Sequence, residues 1–533
     1  MQSIKINPNH IIFSIFIALI ATLKSYYYAD IDHIEQLPII LRKINSGYLT
    51  NDFFVNSTSG FGPRYYYTIF IAFFGRFLSL PIIFFSLTLI SNIAVSLITI
   101  SVSNVYFVDY KPIAYLAAIL VMFVSTFSLG SDEIMSANAL LPDRIAFPLI
   151  MLSFLFLIKN KIIEASFIAG IASIFHVLIG LGYGSIFILS YIIINFSEKI
   201  NIRNYIKPVF FSALILFIFS LLTIIPEFIS AKQKISDVEF ISIIANFRHP
   251  HHYIPSHFFS FLDIIKATFF FVLASLSIIW IENKYPLKHI LIISISILIL
   301  LISGYVFVEI YPSRLFITLQ TFRYLNILKW LSLIFISGFL FKFFRRFNIL
   351  NTISIIFYRF KIIFYILFIS ISFLISLKIV YKLKFDFNSD FNNKYFNPKF
   401  SLSDYFDDET KIFEFIIKNT DKNDIFLSPP NFGKLRIFAQ RAVIVDFKAF
   451  PFSDLAMKEW KNRIDNCYGK TNKSGFEALT DLENNYKNIN TEKIKKLEKK
   501  YNFKYIILFS ETKTELPVLY KNKTFKLVKF LYF

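Results

Sequence analysis

The chain has 533 residues, of which 55% are apolar and 19% aromatic but only 17% charged. A soluble protein carries roughly a quarter charged residues, so this composition excludes a single water-soluble globule, a disordered chain and a fibrous repeat. The net charge of +20 comes with Lys well in excess of Arg among abundant Ile, Asn and Phe. It reads as compositional bias plus basic membrane loops, with no nucleic-acid partner, and the single cysteine, Cys467, excludes a disulfide framework or a Cys-rich metal site.

Apolar stretches able to cross a bilayer are expected at 10–28, 81–103, 112–129, 145–158, 162–177, 179–195, 207–225, 266–281, 288–306, 324–342 and 362–380, about eleven transmembrane helices in all. The first lacks a small-residue cleavage site and runs out through Lys24 and three tyrosines, which suits an uncleaved anchor. The stretch from Tyr65 to Leu80 is interrupted by Arg76 and followed by Pro81, so it is read as a helix lying in the membrane interface. Basic connections at Lys159–Lys161, Lys199–Lys207, Asn283–Lys288 and Lys342–Lys361 are assigned to the cytoplasm. The mixed-charge loops 29–64, 130–144, 226–265 and 307–323 then fall outside. The amino terminus is placed inside and the carboxy-terminal part outside the cytoplasmic membrane.

Beyond the membrane part (1–380), residues 381–533 hold 28 of the basic and 20 of the acidic side chains, the composition of a soluble domain. A helix is expected over Asp408–Asn419, with acids in its first turn, and another over Thr491–Lys500. Short β-branched runs at Ile425–Leu427, Ala442–Val445, Tyr505–Phe509 and Phe525–Leu531 read as strands, giving a small α/β domain. No Gly-rich phosphate loop is present.

Candidate chemistry gathers in the outer loops. The first begins with Asp30, Asp32, His33 and Glu35 at the mouth of the first span. A carboxylate there can take a proton from an acceptor or help hold a divalent cation. Asp143 and Arg144 stand at the surface where a later span starts, although an acid there also suits the helix dipole. The third loop carries Arg248 and His249, then His251, His252 and His257. Pro250 breaks helical pairing of these histidines and their spacing fits no familiar zinc site, so Arg248 is the better candidate, for a phosphate. Arg64, Arg314 and Arg323 are further outward-facing arginines, each equally able to anchor at headgroups. His176, at the outer end of a span, is either functional or one hydrogen bond between helices.

The acids after the first span, the long outer loop to Phe61-Gly62-Pro63-Arg64, the interfacial helix and Asp143 together resemble the layout of the GT-C glycosyltransferases. The resemblance implies a GT-C-like polytopic fold and transfer of a sugar from a polyprenyl-phosphate-linked donor to an acceptor at the outer membrane face. It implies catalytic roles for Asp32, Asp143 or Asp30, and phosphate contacts from Arg64, Arg144, Arg248 or Arg314. Glu35, His176 and His249 stand as further candidates, and Mg or Mn as the cation such a site would take. Membrane lipids and a lipid-linked donor would be the partners. Gln36-Leu37-Pro38, Asn51-Asp52 and the tail run Phe438–Lys448, with Pro451-Phe452 and Glu459-Trp460, are similar to an uncharacterised bacterial membrane family ending in a domain of unknown function. A transporter or lipid flippase, and a non-catalytic scaffold, are the alternatives. The paired broken spans expected of a transporter are not visible.

Overall fold

The computed structural model describes residues 7–108, 111–230, 234–281, 285–346 and 408–530. Ten of the expected spans coincide with helices: Pro8–Ser25, Leu80–Tyr106, Lys111–Phe123, Pro142–Ile158, Ile162–Phe175, Val177–Ser197, Ile202–Ser230, Phe261–Leu276, Tyr285–Tyr305 and Leu325–Arg346. Among the described residues, six helical segments are long and apolar enough to cross a membrane: Pro8–Ser25, Leu80–Tyr106, Val177–Ser197, Ile202–Pro226, Pro286–Ile310 and Arg314–Arg346. The expected eleventh, 362–380, and the tail before residue 408 lie outside the described residues.

Two of the long helices show why lipid is their solvent. Ile206, Phe210, Leu214, Phe217 and Ile225 on one, and Leu291, Ile295, Leu298 and Ile302 on the other, point away from the protein. Apolar surface this continuous is unfavourable in water but ordinary against acyl chains. The chain is a membrane protein. The helix Tyr65–Gly75 has only 11 residues, about half of what the hydrocarbon core requires. The run 112–129 stays helical only to Phe123, because the chain then turns back so that the backbone and hydroxyl of Thr126 both donate to the Glu133 carbonyl.

The carboxy-terminal region is an α/β unit. Strands β1 (Ile425–Leu427), β2 (Ala442–Val443), β3 (Tyr505–Phe509), β4 (Val518–Lys521) and β5 (Phe525–Lys529) form one sheet in the order β2-β1-β3-β5-β4. β1 runs parallel to β2 and β3, while β5 pairs antiparallel with β3 and β4. This unit does not stand apart from the membrane part. One apolar core joins Phe240, Ile244, Phe247, Tyr253 and Ile317 of two outer loops to Phe447, Phe450 and Trp460 of the tail. Another joins Tyr48, Phe54 and Leu140 to Ile437 and Ala449. All four loops assigned to one side therefore meet on the face that carries the tail.

Candidate active site at the mouth of the helices

The first span ends at Ser25, and the chain reaches the helix His33–Ile44 through a tight turn. Ala29 (φ 58°) and Ile31 (φ 47°) both adopt left-handed backbone there. A β-branched residue in that region is strained, so the turn persists only because its surroundings fix it. The fixing group is His33, which is fully buried. The Ala29 amide donates to its Nδ1 (3.1 Å), and its Nε2 donates to the Leu140 carbonyl (3.2 Å). Burial pushes the His33 ring down to about 4, so it is neutral and keeps this donor–acceptor arrangement. The Tyr67 hydroxyl, from the short apolar helix, donates to the same carbonyl at 2.9 Å.

Leu140 stands three residues before Asp143. One carbonyl thus ties the Asp30–Asp32 turn to the start of the helix Pro142–Ile158. The second loop is held from beneath by Asn92, whose amide exchanges hydrogen bonds with Ala137 at 2.7 and 2.8 Å. Asp32 and Asp143, both half-buried, sit near enough for each to feel the other's charge.

The structure places the remaining candidates as follows. Asp32 bonds Lys448 of the tail at 2.7 Å, and Asp30 pairs with Lys434 at 3.3 Å. Burial alone would raise the Asp32 pKa, but Lys448 first, then Arg64 and His252, hold the carboxyl below its ordinary value. Glu35 is buried between Arg64 (2.5 Å) and Arg248 (3.6 Å). Arg64 also lies over the Phe452 ring. Arg248 is 3% exposed, donates to the Lys448 carbonyl at 3.0 Å and lies over Phe447. Its guanidinium faces protein partners. Arg314 is similarly engaged, by Asp454 at 2.7 Å and Asp237 at 3.7 Å. His249 packs edge-on against Phe450, and His176 accepts from the Ile179 amide as the cap of its helix.

Asp132, which the sequence did not single out, and Arg323, named there only among the outward-facing arginines, complete the cluster. Asp132 accepts from Arg144 (3.1 Å) and Asn326 (2.9 Å) and lines a small cavity with Asp143, Arg144 and Ser91. Against the cost of leaving water, Arg144 and then Arg323 hold Asp132 below the usual carboxylate range. The second residue is Arg323, half-buried in the turn Thr321–Tyr324. Gly182 makes room for this turn: a Cβ there would come within 1.9 Å of the Tyr324 hydroxyl, which donates to the Leu178 carbonyl. Arg323 lies within electrostatic reach of Asp132, Asp143, His176 and His252, yet among the described residues no ion pair or hydrogen bond engages its guanidinium. The signal available in the sequence was its place immediately before a span.

The acids do not form a cation cage. Lys434, Lys448 and Arg64 pair with Asp30, Asp32 and Glu35, the single Arg144 lies against both Asp132 and Asp143, and among the described residues no three His, Cys, Asp or Glu side chains converge. A divalent cation at Asp30, Asp32 or Glu35 would have to displace a basic side chain.

Residues 407–467 match a family described as a domain of unknown function, DUF6798. Among curated proteins none matches the sequence. Among solved structures the chain is similar to the Archaeoglobus fulgidus oligosaccharyltransferase. To the complex of that protein with zinc and sulfate it has 12% identity and a TM-score of 0.44, over 94% of this chain and 68% of that one. For the form tethered to an acceptor peptide with an NVT sequon the values are 11%, 0.46, 94% and 69%. For the same organism's oligosaccharyltransferase AglB with an inhibitory peptide and a dolichol-phosphate they are 10%, 0.44, 94% and 69%.

Proposed function

We propose that the chain is a GT-C-type glycosyltransferase of the bacterial cytoplasmic membrane, moving a sugar from a polyprenyl-phosphate-linked donor to an acceptor on the outer face. The observation that supports this reading is the shared Leu140 carbonyl, which through His33 ties the turn that carries Asp32 to the stretch leading into Asp143. The Arg323 guanidinium stands nearby with no hydrogen-bond or ion-pair partner among the described residues.

In this reading the lipid carrier lies along the apolar helices with its phosphate at Arg323, whose fork of donors matches phosphate oxygens. An acceptor hydroxyl attacks the anomeric carbon of the sugar. The bond from that carbon to the phosphate oxygen breaks, and the lipid phosphate leaves with the bonding electrons. Arg323 stabilises the charge that gathers there. The acceptor's proton passes to Asp32 and on to water. Held ionised by Lys448, Asp32 is a modest base, and orienting the acceptor hydroxyl is the larger part of its task. Asp143 positions the acceptor from the opposite loop.

The test uses membranes containing the full chain and a panel of radiolabelled polyprenyl-phosphate sugars. Wild-type protein should transfer label, whereas Asp32→Asn and Asp143→Asn should not, at equal levels of inserted protein. Undiminished transfer by both variants would remove the mechanism. The outside placement of the tail is checked separately with cysteines introduced at its surface and a membrane-impermeant thiol reagent. Labelling only from the cytosolic side would put the site on the wrong face.

A further inference from the structure

The stretch 441–451 of the tail, within the segment of unknown function, is buried at every position but one. Asp446 accepts from the Ala449 amide (2.8 Å) and from Arg436, and its carbonyl accepts from the Trp460 indole at 2.9 Å. Phe447 packs on Phe247 and Trp460 and lies beneath Arg248, which also takes up the Lys448 carbonyl. The exception is Lys448, 23% exposed, and its ammonium lies 2.7 Å from Asp32. A rigid, buried loop thus presents one side chain, and that side chain meets a carboxylate 416 positions earlier in the chain. Lys434, from the same segment, meets Asp30.

We propose that the segment of unknown function completes the site: Lys448 is a positioning residue that fixes the orientation and charge of Asp32. The assignment rests on the reading of Asp32 as a site residue but does not require any particular sugar or acceptor. A lysine on a fixed loop supplies a point charge without occupying both carboxylate oxygens, so Asp32 Oδ2 stays available to a ligand. Surface ion pairs contribute little to stability. A pair formed by a buried loop at the mouth of a site sets instead the protonation state of the acid it touches. On this view the tail is needed for chemistry in the membrane part.

The test reads Asp32 directly and needs no turnover. Full-length protein in detergent is treated with a water-soluble carbodiimide and an amine across a pH series, and modification of Asp32 is followed by mass spectrometry. Lys448→Met should shift the midpoint of modification upward by about one pH unit, and Lys448→Arg should restore it. The converse arm follows acetylation of Lys448, which should become faster in Asp32→Asn. An unchanged midpoint in folded Lys448→Met overturns the proposal. Should that variant not fold, unchanged Lys448 reactivity in Asp32→Asn does so. Where transfer activity is established, Lys448→Met should lower kcat about tenfold with KM for the donor little changed, which a merely structural lysine would not produce. Wild-type protein with no transfer on any donor would count against the transferase reading while leaving the labelling outcome to decide the pairing.

Discussion

Two clusters of acids and arginines join the tail to the membrane part, and they differ in what they leave open to solvent. Arg436 is fully buried between Asp52 and Asp446. Asp52 also accepts from the Val443 and Val55 amides, and the Tyr48 hydroxyl donates to the Arg436 carbonyl. Both acids of that triad are fully buried, so nothing from solvent can reach them. At the mouth, by contrast, Asp32, Asp132, Asp143, Arg144 and Arg323 are all half-buried, and the Arg323 guanidinium has no hydrogen-bond or ion-pair partner among the described residues. The same side-chain chemistry is sealed from solvent in the first cluster, as a fastening would be, and open to it in the second, as the proposed site requires. Removing a member should therefore cost stability in the first cluster and activity in the second.

The largest separation is expected at the mouth. Asp32→Asn should reduce sugar transfer by about a hundredfold to ten-thousandfold, the range lost with a positioned general base. Its melting temperature in detergent should stay close to wild type, because a half-exposed carboxylate contributes little to folding. Loss of stability without loss of activity would invert the comparison. In the triad, Arg436→Met strands two buried carboxylates and should destabilise the protein by about 3–5 kcal/mol, read by chemical or thermal unfolding. A variant as stable as wild type would show that the triad is no fastening.

His33 belongs to neither class and gives a pH signature. Its folded pKa lies at about 4, against 6.5 for the free side chain. As the pH falls below 6.5, the unfolded chain takes up a proton that the folded chain refuses until about 4. Stability should fall across that window by up to about 3 kcal/mol and level off below it. His33→Gln should remove this part of the acid sensitivity. It should also loosen the strained Ala29–Asp32 turn, lowering transfer. An identical acid profile in the variant would show that the ring does not stay neutral in the fold.

What was legible beforehand follows from locality. Apolar runs declare themselves residue by residue, so ten expected spans coincide with helices, and β1 and β3 coincide with expected strands. β4 was not visible because Val518–Lys521 is an exposed edge without inward alternation. The helices Asp454–Tyr468 and Gly475–Lys487 were missed because their apolar stripes lie among many charged and polar residues. The acids after the first span were legible as a cluster, but their partners were not. Asp32 finds Lys448, Asp52 finds Arg436 and Asp132 finds Asn326 across separations of 416, 384 and 194 positions, which no periodicity reports. Arg64, Arg248 and Arg314 looked available in the sequence because basic residues in loops reveal nothing of the carboxylates folded against them.

Arg323 offers the finest test of the contrast because no hydrogen bond or ion pair among the described residues uses its guanidinium. Arg323→Met should leave the unfolding transition unchanged, unlike Arg436→Met. If the free guanidinium receives the donor's phosphate, the variant forfeits a charge-assisted hydrogen bond made on binding, about 1.5–3 kcal/mol, and KM for the donor should rise roughly tenfold to a hundredfold. Arg323→Lys keeps the charge but not the fork, so it should fall between wild type and Met. Inorganic phosphate, as a competitor with donor, should inhibit wild type more strongly than the Met variant. If donor KM is unchanged while Arg144→Met raises it, the phosphate is held on the other side of the Asp132–Asp143 cavity. The two clusters would then differ only in exposure, with no arginine held in reserve for a ligand.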